Sequence, residues 1–186
     1  MRKSFGAKAI LYPMPVFIIG TYNEDGTPNA MNAAWGGISE ETEITICVDG
    51  AHKTADNLLA RKAFTVSMAT ADYAAACDYV GIVSGNKVPD KFERAGFHAI
   101  KSELVDAPII QELPMTLECR IISYDKESCH LVGEIVNVSA EESYLNDKGE
   151  VDTMKLRPLL YDPMSHCYRV PGEIAARAFH VGMSLK

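Results

Sequence analysis

The amino-acid sequence predicts a mainly β fold with a few helices, an antiparallel barrel or sandwich. Runs of β-branched and aromatic residues outnumber helical runs, and turn-forming residues rather than long helices join them. A third observation excludes the usual competitor. The first strand–helix junction carries no GxGxxG and the chain no GxxxxGK[ST], so a doubly wound parallel sheet with a nucleotide fingerprint is disfavoured.

The elements follow in order. Pro13 and Pro15 punctuate the entry to Val16–Tyr22, a strand ending in the turn Asn23-Glu24-Asp25-Gly26, and Thr27 onward returns as a second strand. After Gly36-Gly37, Ile44, Ile46 and Val48 alternate with polar residues, the period of a third strand over Glu43–Val48 with one buried face. Lys53–Arg61 reads as a helix with Thr54 able to cap it and Leu58 and Leu59 facing inward. Phe64–Met68 gives a strand and alanine-rich Asp72–Val80 a second helix. Gly81 to Gly96 reads as a long loop with one helical turn at Asp90–Arg94, and a loop of that length is often functional. Met115–Tyr124 and Leu131–Ser139 are the longest strands, joined by a polar turn, and Asn146-Asp147-Lys148-Gly149 is another turn. From Leu156 the chain becomes irregular, with a short helical tail expected at Glu173–Phe179.

Composition bounds the function. With 186 residues, 47% of them hydrophobic, the chain fits one globular domain over 1–186 with a real core. A net charge of −7 and the lack of any Lys/Arg block argue against nucleic acid. Five cysteines without a CxxC pair fit a reducing cytoplasm, and no signal peptide or membrane span is read. The five histidines show neither HxxxH nor HExxH spacing, so no metal site is expected.

Three stretches carry candidate chemistry. Asn29-Ala30-Met31-Asn32-Ala33-Ala34-Trp35 combines small residues, two amides and the only tryptophan; small side chains let a flat heteroaromatic ligand approach backbone N–H groups, with Trp35 as a wall. Equally, the alanines could pack two sheet layers around a core tryptophan. His52-Lys53-Thr54, with Asn57 a turn later, sits at a helix start, where exposed N–H groups attract anions; the plainer reading is a capped surface helix. Ser84-Gly85-Asn86-Lys87 with Asp90-Lys91-Phe92 offers a hydroxyl and two ammonium groups, from which Lys91 could reach a phosphate or ring edge, unless this is a solvated loop with surface ion pairs. His130, at a strand start, could reach a ligand at the barrel rim.

Together with Gly81-Ile82-Val83-Ser84-Gly85 and His130-Leu131-Val132-Gly133-Glu134-Ile135, these stretches resemble the flavin reductase-like, FMN-binding split-barrel family, in its flavoredoxin-like branch. The resemblance runs through most of the chain and implies an antiparallel split β-barrel that binds FMN. It implies that Asn29, Met31, Asn32, Ala33, Ala34 and Trp35 line the isoalloxazine, that His52, Lys53 and Thr54 hold the phosphate with Asn57 and Ser84 nearby, and that Lys91 and His130 complete the pocket. It further implies a homodimer with flavin at the interface, and Tyr161 and Tyr168 are the candidates for supply by the partner chain. The ending Tyr168-Arg169-Val170-Pro171-Gly172-Glu173 is similar to the family's, with Cys167 and Pro171 as departures.

No protein acid or base is then required, because the flavin carries the redox chemistry and the protein supplies orientation and hydrogen bonds. The expected function is an FMN-dependent oxidoreductase, passing electrons between protein partners as a flavoredoxin does or reducing flavin with NADH or NADPH. Two other readings stand beside it: a non-catalytic homodimer that stores or senses flavin, and an apo dimer in which Asn29–Trp35 is simply well-packed core.

Overall fold

The computed structural model describes residues 1–185. In chain order its elements are β1 (Met14–Pro15), β2 (Phe17–Tyr22), β3 (Pro28–Ala33), β4 (Gly36–Glu40), β5 (Glu43–Cys47), α1 (Lys53–Arg61), β6 (Ala63–Met68), α2 (Ala74–Ile82), α3 (Lys91–Arg94), β7 (Ala99–Lys101), β8 (Pro108–Ile110), β9 (Met115–Asp125), β10 (His130–Ala140), α4 (Thr153–Leu156), β11 (Leu160–Asp162) and β12 (Cys167–Arg169).

Seven strands form one antiparallel sheet in the order β3-β2-β6-β9-β10-β5-β4. β3 and β4 are its opposite edges, yet only Ala34 and Trp35 lie between them. Three Cα steps span at most about 11 Å, so the sheet must curl until its edges nearly meet. The Cys47 N–H on β5 donates to the Trp35 carbonyl at 2.8 Å and fastens that crossing. The result is the split antiparallel barrel the sequence predicts.

Alternation then builds two cores. Phe17 and Ile19 of β2, Met31 and Ala33 of β3, and Ile44, Ile46, Phe64, Val66, Leu117 and Leu131 face inward, where α1 adds Ala55 and Leu58. On the other face of β2 and β3, Val16, Ile18 and Ala30 pack against Cys77 and Val80 of α2 and Phe92 of α3. β3 is thereby covered on both faces, which holds its C-terminal end and the Ala34-Trp35 crossing in a fixed place.

Several local expectations need correction. β4 falls on Gly36–Glu40, where no strand was expected and where Gly-Gly has low strand propensity; its pairing with β5 makes it a strand. The hairpin β7–β8 was likewise not expected, and it too exists through mutual pairing. Thr54 does not cap α1: the N-cap position is His52, with no side-chain cap bond, and Thr54 is buried in the first turn. Leu58 is buried, but Leu59 points to solvent. The tail at Glu173–Phe179 is not helical, and a short 3-10 turn lies further on at Val181–Leu185. The segment after Leu156 is ordered into β11 and β12, with β11 paired between β1 and β12. Asp162 ties that sheet together, accepting from Tyr12 Oη at 2.6 Å and Arg169 Nε at 2.9 Å; the Tyr12 hydrogen bond, first among several, holds its carboxyl well below the usual carboxylate range.

Candidate functional site

Where the barrel edges meet, two cavities adjoin and share Met31, Asn32 and His52. The first, about 340 Å³, is lined by Val16, Met31, Asn32, Ala33, Ala34, Trp35, Cys47, Asp49, His52, Cys129, Tyr161 and Tyr168. Three of these are aromatic. Trp35 and Tyr161 have ring centroids 6.4 Å apart, and Tyr161 and Tyr168 6.3 Å apart. Trp35 is 53% exposed, so it is a wall open to solvent and not a packed core side chain.

Tyr161 and Tyr168, expected as candidates for supply by a partner chain, reach this cavity from β11 and β12 of the same chain. Their rings are positioned from behind. The Tyr168 hydroxyl donates to Asp78 Oδ1 of α2 at 2.7 Å, and burial together with that carboxylate pushes its pKa well up, so it stays a protonated donor. Tyr161 Oη shares a hydrogen bond with His166 Nδ1 at 2.9 Å.

The second cavity, about 250 Å³, is polar. It is lined by Met31, Asn32, His52, Lys53, Thr54, Val80, Gly81, Ile82, Val83, Ser84, Gly85 and Lys91. It opens on the N-terminus of α1, which no side chain caps, so first-turn N–H groups and the positive end of the helix dipole face an incoming anion. Lys53 adds a cation. Thr54 Oγ1 accepts from Asn29 Nδ2 at 3.1 Å, which leaves its own hydroxyl proton to donate elsewhere.

Lys91 is 4% exposed and gives Nζ to the Val80 carbonyl at 2.8 Å and the Val83 carbonyl at 2.9 Å. It satisfies the C-terminal carbonyls of α2 and retains a third N–H, while burial lowers its pKa to about 8. Small residues keep this end open. A Cβ on Gly85 would lie 2.8 Å from Asn29 Oδ1 and 3.2 Å from Lys53 Cβ, and one on Gly81 would lie 2.8 Å from Asn32 Cβ.

Three expected site residues lie elsewhere. Asn29 is 2% exposed and lines neither cavity; it donates to Thr21 Oγ1 and Thr54 Oγ1, and only its Oδ1 approaches Gly85. Asn57 is buried behind it, donating to Thr21 Oγ1 at 3.1 Å and Asn23 Oδ1 at 2.9 Å. These amides form a polar lattice that pins α1 to β2 and β3, and so fixes the anion seat without touching it. His130 lines neither cavity but a third groove, which meets the aromatic one at Ala34, Trp35 and Cys47 and is otherwise walled by Lys8–Leu11, Pro13–Pro15, Gly36 and Thr45. The remaining predicted residues, Met31 to Trp35, His52, Lys53, Thr54, Ser84, Lys91, Tyr161 and Tyr168, do converge on the two cavities.

Sequence reasoning missed Val16, Cys47, Asp49 and Cys129 in the aromatic cavity. The two cysteines are far apart in the chain, and only the register of β5 on β10, which sets Cys47 opposite His130, brings them together.

A family model described as the flavin reductase like domain matches residues 9–168. The chain belongs to this family. Among solved structures, the flavoredoxin of Desulfovibrio vulgaris (Miyazaki F) is 38% identical, covering 98% of this chain and 100% of that one with a TM-score of 0.93. The flavoredoxin from Methanosarcina acetivorans is 29% identical over the whole of both chains, with a TM-score of 0.89. An FMN-binding protein from Thermus thermophilus, 21% identical, shares the fold with a TM-score of 0.76 over 95% of this chain and 99% of that one.

Proposed function

We propose that this protein is an FMN-dependent redox protein that passes electrons between partners as a flavoredoxin does. The observation that carries the proposal is the continuity of an aromatic-walled cavity with a polar cavity on an uncapped helix N-terminus. A flat apolar ring joined to a phosphate needs those two halves side by side. Membership of the flavin reductase-like family and the likeness to two flavoredoxins support the same reading.

On this reading Trp35, Tyr161, Tyr168 and the backbone of Met31–Ala34 hold the ring. The first-turn N–H groups of α1, with Lys53, Thr54 and Ser84, hold the phosphate, and Lys91 stiffens the segment that leads into Ser84. Bound FMN would supply one- and two-electron redox chemistry, and no side chain of the protein need act as acid or base. The protein orients the ring, satisfies its polar edge and controls water at its face.

The test is an absorbance spectrum of protein purified without added cofactor, followed by anaerobic titration with NADH and then NADPH. Flavin bands that bleach only with dithionite or a reduced protein donor are the expected result. Prompt bleaching by a nicotinamide would instead make it a flavin reductase. The absence of bands after FMN is added would sink the flavin reading. We also carry over from the resemblance a homodimer working in the cytoplasm, for which sedimentation of the FMN-loaded protein at the monomer mass would be the contrary result.

A further inference from the structure

Two thiols in the wall of the aromatic cavity have no part in holding a ring or a phosphate. Cys47 ends β5 and is exposed, and Cys129 is partly exposed in the turn before β10. Both line the cavity together with Asp49 and His52, and both are free.

The register sets Cys47 opposite His130, and the Val48 N–H donates to the Cys129 carbonyl at 2.8 Å. Cys47 and Cys129 are therefore diagonal neighbours across an antiparallel ladder, about 6 Å apart at Cα by the standard spacings, inside the range a disulfide spans. In a regular ladder such neighbours would point to opposite faces. Cys129, however, has φ +63°, the left-handed region that glycine or asparagine normally fills, and the ladder's face alternation is broken there. The Cys129 thiol lies close enough to that of Cys47 to raise its pKa, after the larger effect of burial. The Cys129 thiol closes the tight turn between β9 and β10 with one weak contact, to the Lys126 carbonyl at 3.8 Å, and gives up nothing more than that in pairing with Cys47.

We propose that Cys47 and Cys129 are a reversible dithiol–disulfide pair in the wall of the aromatic cavity, oxidised by low-molecular-weight disulfides of the glutathione type. The exchange balances in two steps. One protein thiolate attacks the small disulfide, forming a mixed disulfide and releasing one small thiolate. The second protein thiolate then attacks the protein sulfur of that bond, closing Cys47–Cys129 and releasing the other. Two protons leave the protein thiols, and two electrons reduce the small disulfide to two thiols. Closure also acts on the cavity, since the Cys47 N–H holds the Trp35 carbonyl.

The exchange needs no flavin, so it fails or succeeds apart from the proposed function. The full-length protein as purified would be incubated with oxidised glutathione, alkylated, and mapped by mass spectrometry. Cys77 and Cys119 are wholly buried, and exposed Cys167 serves as the internal control for a thiol without a partner. The expected result is a Cys47–Cys129 bridged peptide without retained glutathione, opened again by dithiothreitol, while Cys167 keeps a glutathione adduct. In Cys129→Ser, Cys47 should retain the adduct, because nothing displaces it. Glutathione retained on Cys47 or Cys129 in the wild-type protein, or alkylation of both after exposure to the oxidant, would overturn the proposal.

Discussion

Replacing Gly85 by alanine tests how closely the polar cavity is fitted. The new Cβ would lie 2.8 Å from Asn29 Oδ1 and 3.2 Å from Lys53 Cβ. Gly85 has no positive φ, so the substitution carries steric cost without backbone strain. Asn29 cannot turn aside freely, because its amide is buried and bonded to Thr54 at 3.1 Å and Thr21 at 3.3 Å. Relief of a few tenths of an ångström costs about 1 kcal/mol if one of those bonds is lost. The alternative is to push Lys53, and with it the first turn of α1, away from the cavity. Either way the damage falls on the anion seat and not on the aromatic half. The dissociation constant for FMN should rise about tenfold, equivalent to 1.4 kcal/mol, while that for riboflavin, which lacks the phosphate, should stay within about twofold of the wild-type value. Quenching of flavin fluorescence on titration measures both. Unchanged FMN affinity, or equal weakening of both ligands, would refute the reasoning.

Three further predictions use other parts of the structure. Trp35→Ala removes a half-exposed wall, so it should cost about 2 kcal/mol of stability or less and yet weaken FMN by more than about tenfold; urea unfolding and flavin titration of one preparation separate the two effects. Asn57→Ala should weight the two effects the other way, costing about 1–3 kcal/mol by orphaning buried partners and weakening FMN by less than about tenfold, since it loosens the lattice behind the anion seat without touching the ligand. Lys91, whose pKa burial lowers to about 8, makes stability depend on pH. From about pH 8 to 10 the unfolded chain, titrating near the ordinary lysine value, binds more protons at this position than the folded one, so Lys91 adds a contribution to stability that rises with pH by about 2 kcal/mol. Burial acts with the opposite sign on Cys77 and Cys119, both pushed up to about 12, and on Tyr124 and Tyr168: as pH rises past the ordinary thiol and phenol values the folded chain keeps protons there that the unfolded one loses, which lowers stability. The lysine contribution therefore shows as a difference: in urea unfolding, the stability of the wild-type protein relative to Lys91→Met should grow by about 2 kcal/mol across pH 8–10, and a difference that stays flat would contradict the burial account.

Much of the barrel was legible because its strands state their own period. Phe17–Tyr22, Glu43–Cys47 and the long pair β9 and β10 carry β-branched or alternating patterns with turn residues between them. β4 and the β7–β8 hairpin were not legible, since Gly-Gly-Ile-Ser-Glu and Ala-Ile-Lys carry no strand pattern of their own and become strands only by pairing with their neighbours β5 and β8. The site shows the same division. Small residues, Trp35 and a cationic helix start announced a ligand, but which amide would face it was hidden. Asn29 is spent on Thr21 and Thr54, a lattice that exists only once α1 docks on β2 and β3. Likewise the meeting of Cys47 with Cys129 depends on a strand register and one left-handed residue, neither of which a motif encodes.

The central claim is that the two cavities form one binding site, with a ring in the aromatic half and a phosphate on the N-terminus of α1. Parallel titration of the wild-type protein with FMN and riboflavin tests it most directly. The account predicts saturable binding of both, with FMN about a hundredfold tighter, since the phosphate contacts should contribute about 3 kcal/mol. Equal affinities would place the phosphate outside the seat at Lys53 and Thr54. No binding of either would remove flavin from the account.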